Sequence, residues 1–181
     1  RIKGSRFIKR EGRPTDEAVL NARFIDRAIR PLFDQRIEHD VQVIVTVLAF
    51  DKENDADIPG LIAASCALHM SDIPWNGPLA AARINHLEGA MVVNGTYEER
   101  AASQFDVDVA GTAEKILMIE AGANEAKEEA VIEAIVRART EIGSVIKLLE
   151  EVRAAVGKEK RDLLTPRTEK EKVWADRKQE I

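Results

Sequence analysis

Six cations crowd the first fourteen residues. Arg1, Lys3, Arg6, Lys9, Arg10 and Arg13 stand against Glu11 alone, a local charge of +5. Lysine and arginine neutralise phosphates, and an aromatic ring beside them can stack on an unpaired base. That combination holds single-stranded nucleic acid without reading its sequence. Phe7-Ile8-Lys9-Arg10, followed by Arg13, contains those parts. A second reading fits equally well: a solvated charged loop whose Phe7 and Ile8 tuck into the core. The 181 residues together carry −5, so the chain beyond this loop carries −10. A basic loop on an acidic body suggests a local anion site rather than a general polyanion-binding surface.

Asp106 and Asp108 alternate along an apolar run, so on a strand both side chains share one face. Paired carboxylates there could hold a metal ion or serve as acid and base; they could equally be the wet face of an edge strand. His39, His69 and His86 have no partners at metal-ligand spacing, and there is no paired-cysteine or HExxH motif, so no metal site is expected. Cys66 is the single cysteine. It excludes an internal disulfide, fits a reducing compartment, and reads as a small core residue. No phosphate-cradling glycine loop and no nucleophile elbow follows any strand. No apolar run approaches the roughly 18 residues of a membrane span. The chain opens on Arg1-Ile2-Lys3-Gly4 with no charged-then-apolar leader, which points to an internal piece of a cytoplasmic protein.

The elements that must position these residues follow from period and punctuation. Thr15-Asp16-Glu17 reads as a helix start, with Leu20, Phe24, Ala28 and Ile29 at helical spacing up to Pro31. Residues 41–48 (Val-Gln-Val-Ile-Val-Thr-Val-Leu) predict a central strand. A polar turn over 51–57, an Ala-rich helix over 61–70 and a rigid Ile73-Pro74-Trp75-Asn76-Gly77-Pro78 loop come next. Strands over 79–86 and 90–94 meet at Glu88-Gly89 as a hairpin, and strands over 104–110 and 115–120 meet around Gly111-Thr112. From Glu125 the period lengthens. Val131, Ile135, Ala138, Ile142, Val145, Leu149, Val152 and Val156 form one stripe, read as a helix docked on its own sheet and ended by Gly157. Thr165-Pro166 starts a second, mostly polar helix. The whole is α+β: a mixed sheet with packed helices, followed by long C-terminal helices.

Several of these segments, in this order, resemble the first half of polynucleotide phosphorylases. They are residues 7–14 (Phe-Ile-Lys-Arg-Glu-Gly-Arg-Pro), 22–33 (Ala-Arg-Phe-Ile-Asp-Arg-Ala-Ile-Arg-Pro-Leu-Phe), Val41-Gln42-Val43-Ile44, residues 73–78, and Val109-Ala110-Gly111-Thr112. The resemblance covers about the first 120 residues. It implies an RNase PH-like fold lacking its opening strands, with residues 1–156 a partial first RNase PH-like domain and 157–181 the start of an all-helical linker domain. It further implies a parent enzyme that degrades RNA 3′ to 5′ with inorganic phosphate and Mg²⁺ or Mn²⁺, as a homotrimeric ring. In such a ring the first domain guides single-stranded RNA, here through Phe7, Lys9, Arg10 and Arg13, and catalysis belongs to a second RNase PH-like domain.

The sequence itself fits the first copy. The catalytic copy holds phosphate with a serine run where this chain has Ala56-Asp57-Ile58, and Asp57 would repel phosphate. The resemblance implies that the catalytic copy's two aspartates correspond to Gln104 and Asp106 here, so one carboxylate is missing. No catalytic residue and no cofactor is therefore expected in this piece. Arg6 looks like an extra residue, and Ile8 stands where an aromatic is common, leaving stacking to Phe7. Without opening strands, an uncovered sheet edge and self-association are expected. The alternative is a stand-alone, non-catalytic RNA-binding or ring subunit.

Overall fold

A computed structural model describes residues 14–164. The first helix, α1 (Asp16–Ile29), begins where Thr15 accepts a hydrogen bond from the Ala18 amide at 3.2 Å, with Asp16 and Glu17 in its first turn. Pro31 then tightens the chain into a 3-10 turn, Arg30–Leu32. Helix α2 (Asp57–Met70) starts four residues earlier than its apolar period suggests. Four strands and two further helices follow: β1 (Ala80–Leu87), β2 (Ala90–Val93), α3 (Tyr97–Ala102), β3 (Phe105–Gly111), β4 (Ile116–Ala123) and α4 (Glu128–Val156).

The sheet order is β2-β1-β3-β4 and every pairing is antiparallel. Glu88 and Gly89 both take positive φ (49° and 85°), the conformation a two-residue hairpin needs to match strand twist. One sheet face carries Ala80, Ala82, Ile84, Phe105, Val107 and Val109 and is covered by α4 through Ala134, Ala138, Ile142 and Ile146. The opposite face contributes Ala81, Ala110 and Met118 to a core with Phe24, Ala28 and Ile29 of α1 and Leu61, Ala64 and Leu68 of α2. The α+β class expected from sequence, and α4 docked on its own sheet, are both found. Gly157 caps α4, and Val156 from the expected stripe is 64% exposed.

Two expectations are corrected. Residues 41–48 form no strand, and the described sheet is antiparallel throughout rather than mixed. A β-branched run becomes a strand only when a neighbour takes up its backbone groups, and no described residue pairs with 41–50. The segment keeps a two-residue period nonetheless. Val41 and Val43 pack on the α1–α2 core, and Val45 lies against Gly60 of α2, where a Cβ would sit 3.4 Å from the valine methyl. Ile44 and Leu48 point out, 76% and 93% exposed. The helix expected after Thr165-Pro166 lies outside the described residues.

The joint between the α1–α2 layer and the sheet is the 73–78 loop. The Trp75 indole N–H donates to the Ile29 carbonyl at 3.1 Å, and its ring packs 6.3 Å from that of Phe33. Gly77 backs onto this indole; a Cβ there would fall 2.1 Å from a ring carbon, so no larger residue fits.

Candidate functional site: one buried arginine among four aspartates

Strand register sets the site. Arg83 on β1 lies opposite Asp108 on β3, and Asn85 opposite Asp106, all on the sheet face away from α4. Asp106 and Asp108 share a face as their spacing predicts. However, β3 is an interior strand between β1 and β4, so this face is not the wet side of an edge. The turn before α2 brings two more carboxylates. Asp51 accepts the Glu53 and Asn54 amides, each at 2.9 Å, and these bonds, Asn54 foremost, hold its carboxyl down at about 2. The folded turn presents Asp55 and Asp57. A capping box between Thr96 and Glu99 starts α3, which delivers Arg100.

All six side chains converge. Arg83 binds Asp108 with two bonds, Nε to Oδ1 at 2.7 Å and Nη2 to Oδ2 at 3.0 Å, and donates to Asp57 Oδ2 at 2.5 Å. Its Nη1 is 3.4 Å from Asp55, and its Nε is 3.2 Å from Asp106 Oδ1. That last contact is off the N–H direction, so it counts as charge attraction, and Asp106 Oδ1 has no hydrogen-bond partner among the described residues. Arg100 bridges Asp55 at 2.7 Å and Asp106 at 3.0 Å. Arg83, Asp57 and Asp108 are 3%, 5% and 8% exposed. Burial opposes the Arg83 charge, but Asp108 and Asp57 outweigh it and hold its pKa above the ordinary value. Burial pushes the Asp108 carboxyl up to about 6, with Arg83 pulling the other way.

Chemically this is a closed set. The oxygens of Asp57 and Asp108 are engaged by guanidinium, a rigid fork that matches carboxylate pairs. Four carboxylates stand around the guanidinium, so an approaching phosphate would meet like charge. Among the described residues no group of three or more His, Cys, Asp or Glu could hold a metal ion. His69 is buried and bound to Glu150 at 3.3 Å, with burial lowering its pKa, and His86 stacks on Phe105 at 5.1 Å. Sequence reasoning missed Arg83, Arg100 and Asp55. The available signal was a lone arginine inside Ala80-Ala81-Ala82-Arg83-Ile84 facing an Asp-x-Asp strand. The RNA-gripping residues expected from sequence, Phe7, Lys9, Arg10 and Arg13, lie outside the described residues.

This architecture, helices on a four-stranded antiparallel sheet, is an RNase PH-like α+β fold. Two models of one family match in succession: 3′ exoribonuclease family, domain 1, over residues 2–74, and domain 2 over residues 77–141. The chain belongs to the 3′ exoribonuclease family. It is similar to the polyribonucleotide nucleotidyltransferase of Thermomicrobium roseum, 48% identical over 160 residues, covering 88% of this chain and 20% of that protein. The proteins of the same name from Heliobacterium modesticaldum (47% over 157 residues, 87% and 22%) and Thermus thermophilus (48% over 160 residues, 88% and 22%) are also similar. The chain thus spans about a fifth of the length of these relatives.

Proposed function

We propose that this chain is the non-catalytic first RNase PH-like domain of a cytoplasmic, phosphate-dependent 3′-to-5′ exoribonuclease that releases nucleoside diphosphates. In this reading it helps build a trimeric ring and guides single-stranded RNA, while a second RNase PH-like domain of the parent performs phosphorolysis. The observation that carries the reading is the arginine-centred cluster. Asp57 and Asp106 hold the positions that resemble the catalytic copy's phosphate-binding serine and one of its aspartates; Asp57 is buried against Arg83, and half-buried Asp106 is paired with Arg100 and Arg83. Phosphate meets carboxylates there, and a divalent ion meets guanidinium, so these residues fit neither. Mg²⁺ or Mn²⁺ and phosphate belong with the parent's other domain. The relatives' length favours this over a stand-alone ring subunit.

The test is direct. Incubated with single-stranded RNA, inorganic phosphate and Mg²⁺ or Mn²⁺, the chain releases no nucleoside diphosphates. Steady release that Asp106→Ala abolishes would overturn the reading. The RNA-guiding half is tested in the complete protein: Lys9→Ala with Arg10→Ala weakens RNA binding and flattens its salt dependence, by about one unit of slope for each phosphate no longer neutralised. Phe7→Ala costs ~1–3 kcal/mol of binding with little change in slope. Unchanged affinity in both leaves the loop as a solvated charged turn.

A further inference from the structure

Residues 158–164, which follow α4, are held against the body. The Lys160 ammonium donates to three carbonyls at the C-terminal end of α2: Leu68 at 2.8 Å, His69 at 3.1 Å and Ser71 at 2.7 Å. These are the acceptors a helix end leaves without partners, and they lie at the negative pole of the helix dipole. One cation therefore meets both needs, with all three of its protons used. The backbone on either side is held as well. The Lys158 amide donates to the Met70 carbonyl at 2.9 Å, and the Arg161 amide to the Asp72 carbonyl at 2.8 Å. The Arg161 guanidinium pairs with Asp72 at 2.5 Å, and Leu164 forms an antiparallel bridge with Ile37. From the α4 side, Glu150 reaches His69 at the same helix end.

We propose that residues 158–164 are a strap, locked by Lys160 onto the C-terminal end of α2, that fixes where and in which direction the chain leaves the RNase PH-like body. Three features argue for a built attachment over an incidental contact. An ammonium ion costs desolvation, and burial does lower the Lys160 pKa, with nearby Arg153 adding to the fall and Asp72 opposing it. Three carbonyls converging on one nitrogen repay that cost. Next, Gly157 gives α4 a sharp end: its amide bonds to the Arg153 carbonyl at 2.7 Å, and a Cβ there would lie 2.5 Å from that oxygen. Finally, the backbone bonds from 158 and 161 grip the chain on both sides of Lys160, so the strap is held at several points. The consequence concerns the domain boundary. The body extends past the tip of α4 to Leu164, which lies beside Ile37.

Two measurements on the 181-residue chain decide this. The strap contains trypsin sites at Lys158 and Arg161, and Lys160→Met keeps both while removing the ammonium. Cleavage at those two sites is expected to accelerate at least about tenfold in Lys160→Met, because three charge-assisted hydrogen bonds are removed. Cleavage within α4 at Arg153 serves as the control and stays unchanged. Equal rates at Lys158 and Arg161 in both proteins would overturn the strap. Hydrogen exchange on the unmodified chain decides it even if the variant does not fold. The Lys158 and Arg161 amides are expected to be protected like the last turn of α4, and free exchange at both refutes the proposal.

Discussion

Two stretches of this chain have nearly the same β-forming character and opposite fates. Residues 41–48 alternate and branch as a strand should, yet they pair with nothing among the described residues. Phe105-Asp106-Val107-Asp108-Val109-Ala110-Gly111 includes two charges and nevertheless forms the centre of the sheet, with β1 on one side and β4 on the other. Side-chain propensity ranks the two the wrong way round. A strand is a relation between segments, and β3 has neighbours within about thirty residues on either side, whereas the earlier run has none among the described residues. Even its charges are absorbed, because Arg83 stands across from Asp108 in register.

Removing that arginine should have the largest effect. Arg83→Met leaves four carboxylates around an apolar side chain, two of them buried, and is expected to cost roughly 3–5 kcal/mol in a denaturant titration. A loss below about 1 kcal/mol would mean the aspartates do not depend on it. Side-chain truncation then separates the two regions. Ile84→Ala, from a fully buried β1 position, should cost about 2–5 kcal/mol, while Leu48→Ala should stay within about 0.5 kcal/mol. Similar costs for both would show that 41–50 is covered after all.

Residues 41–50, without a charge or proline, have no strand partner among the described residues and could take a second copy of the chain as one. Two-fold antiparallel pairing centred on Thr46 places Asp40 opposite Lys52, so the charges flanking the run match. Sedimentation should show concentration-dependent association, weakened about tenfold or more by Thr46→Lys, which sets like charges face to face. A chain that stays monomeric across the concentration range removes this pairing.

The smallest effect is in pH. Asp108 titrates at about 6 in the folded chain against an ordinary 3.8, so between those values the folded form binds an extra proton. The stability this group contributes is therefore fully present below pH 3.8 and is lost as pH rises through about 6. Melting temperatures at pH 5 and 7.5 should differ by less in Asp108→Asn than in the unmodified chain. An undiminished difference assigns the pH response to other groups.

Much of the fold was legible because its signals are local. Thr15 before Asp16-Glu17, Glu88-Gly89 between two apolar runs, and the three-and-four stepping of α4 each specify a conformation within a few residues. The short helix α3 was missed although Thr96 and Glu99 have capping-box spacing, since Tyr97-Glu98-Glu99-Arg100 offers no apolar face. The 41–48 run was misread for the reason argued above: the decisive partner is not encoded in the run. The site was half visible. Asp106 and Asp108 could be placed on one face from their alternation. Their joining to Asp55 and Asp57, some fifty residues away, depends on the register of β1 against β3 and on the turn before α2, and no spacing rule reports either.

The Trp75 latch has a spectroscopic consequence. Its indole is 6% exposed, bonded to the end of α1 and backed by Gly77, at the seam between the stretches matched by the two family models. The chain has one other tryptophan, Trp174. With Trp174→Phe, the remaining emission comes from the seam alone, blue-shifted while the halves are joined and moving to the red when α1 lifts away. Compared with far-ultraviolet dichroism, which follows all the helices together, that colour change separates parting of the two halves from melting of either one.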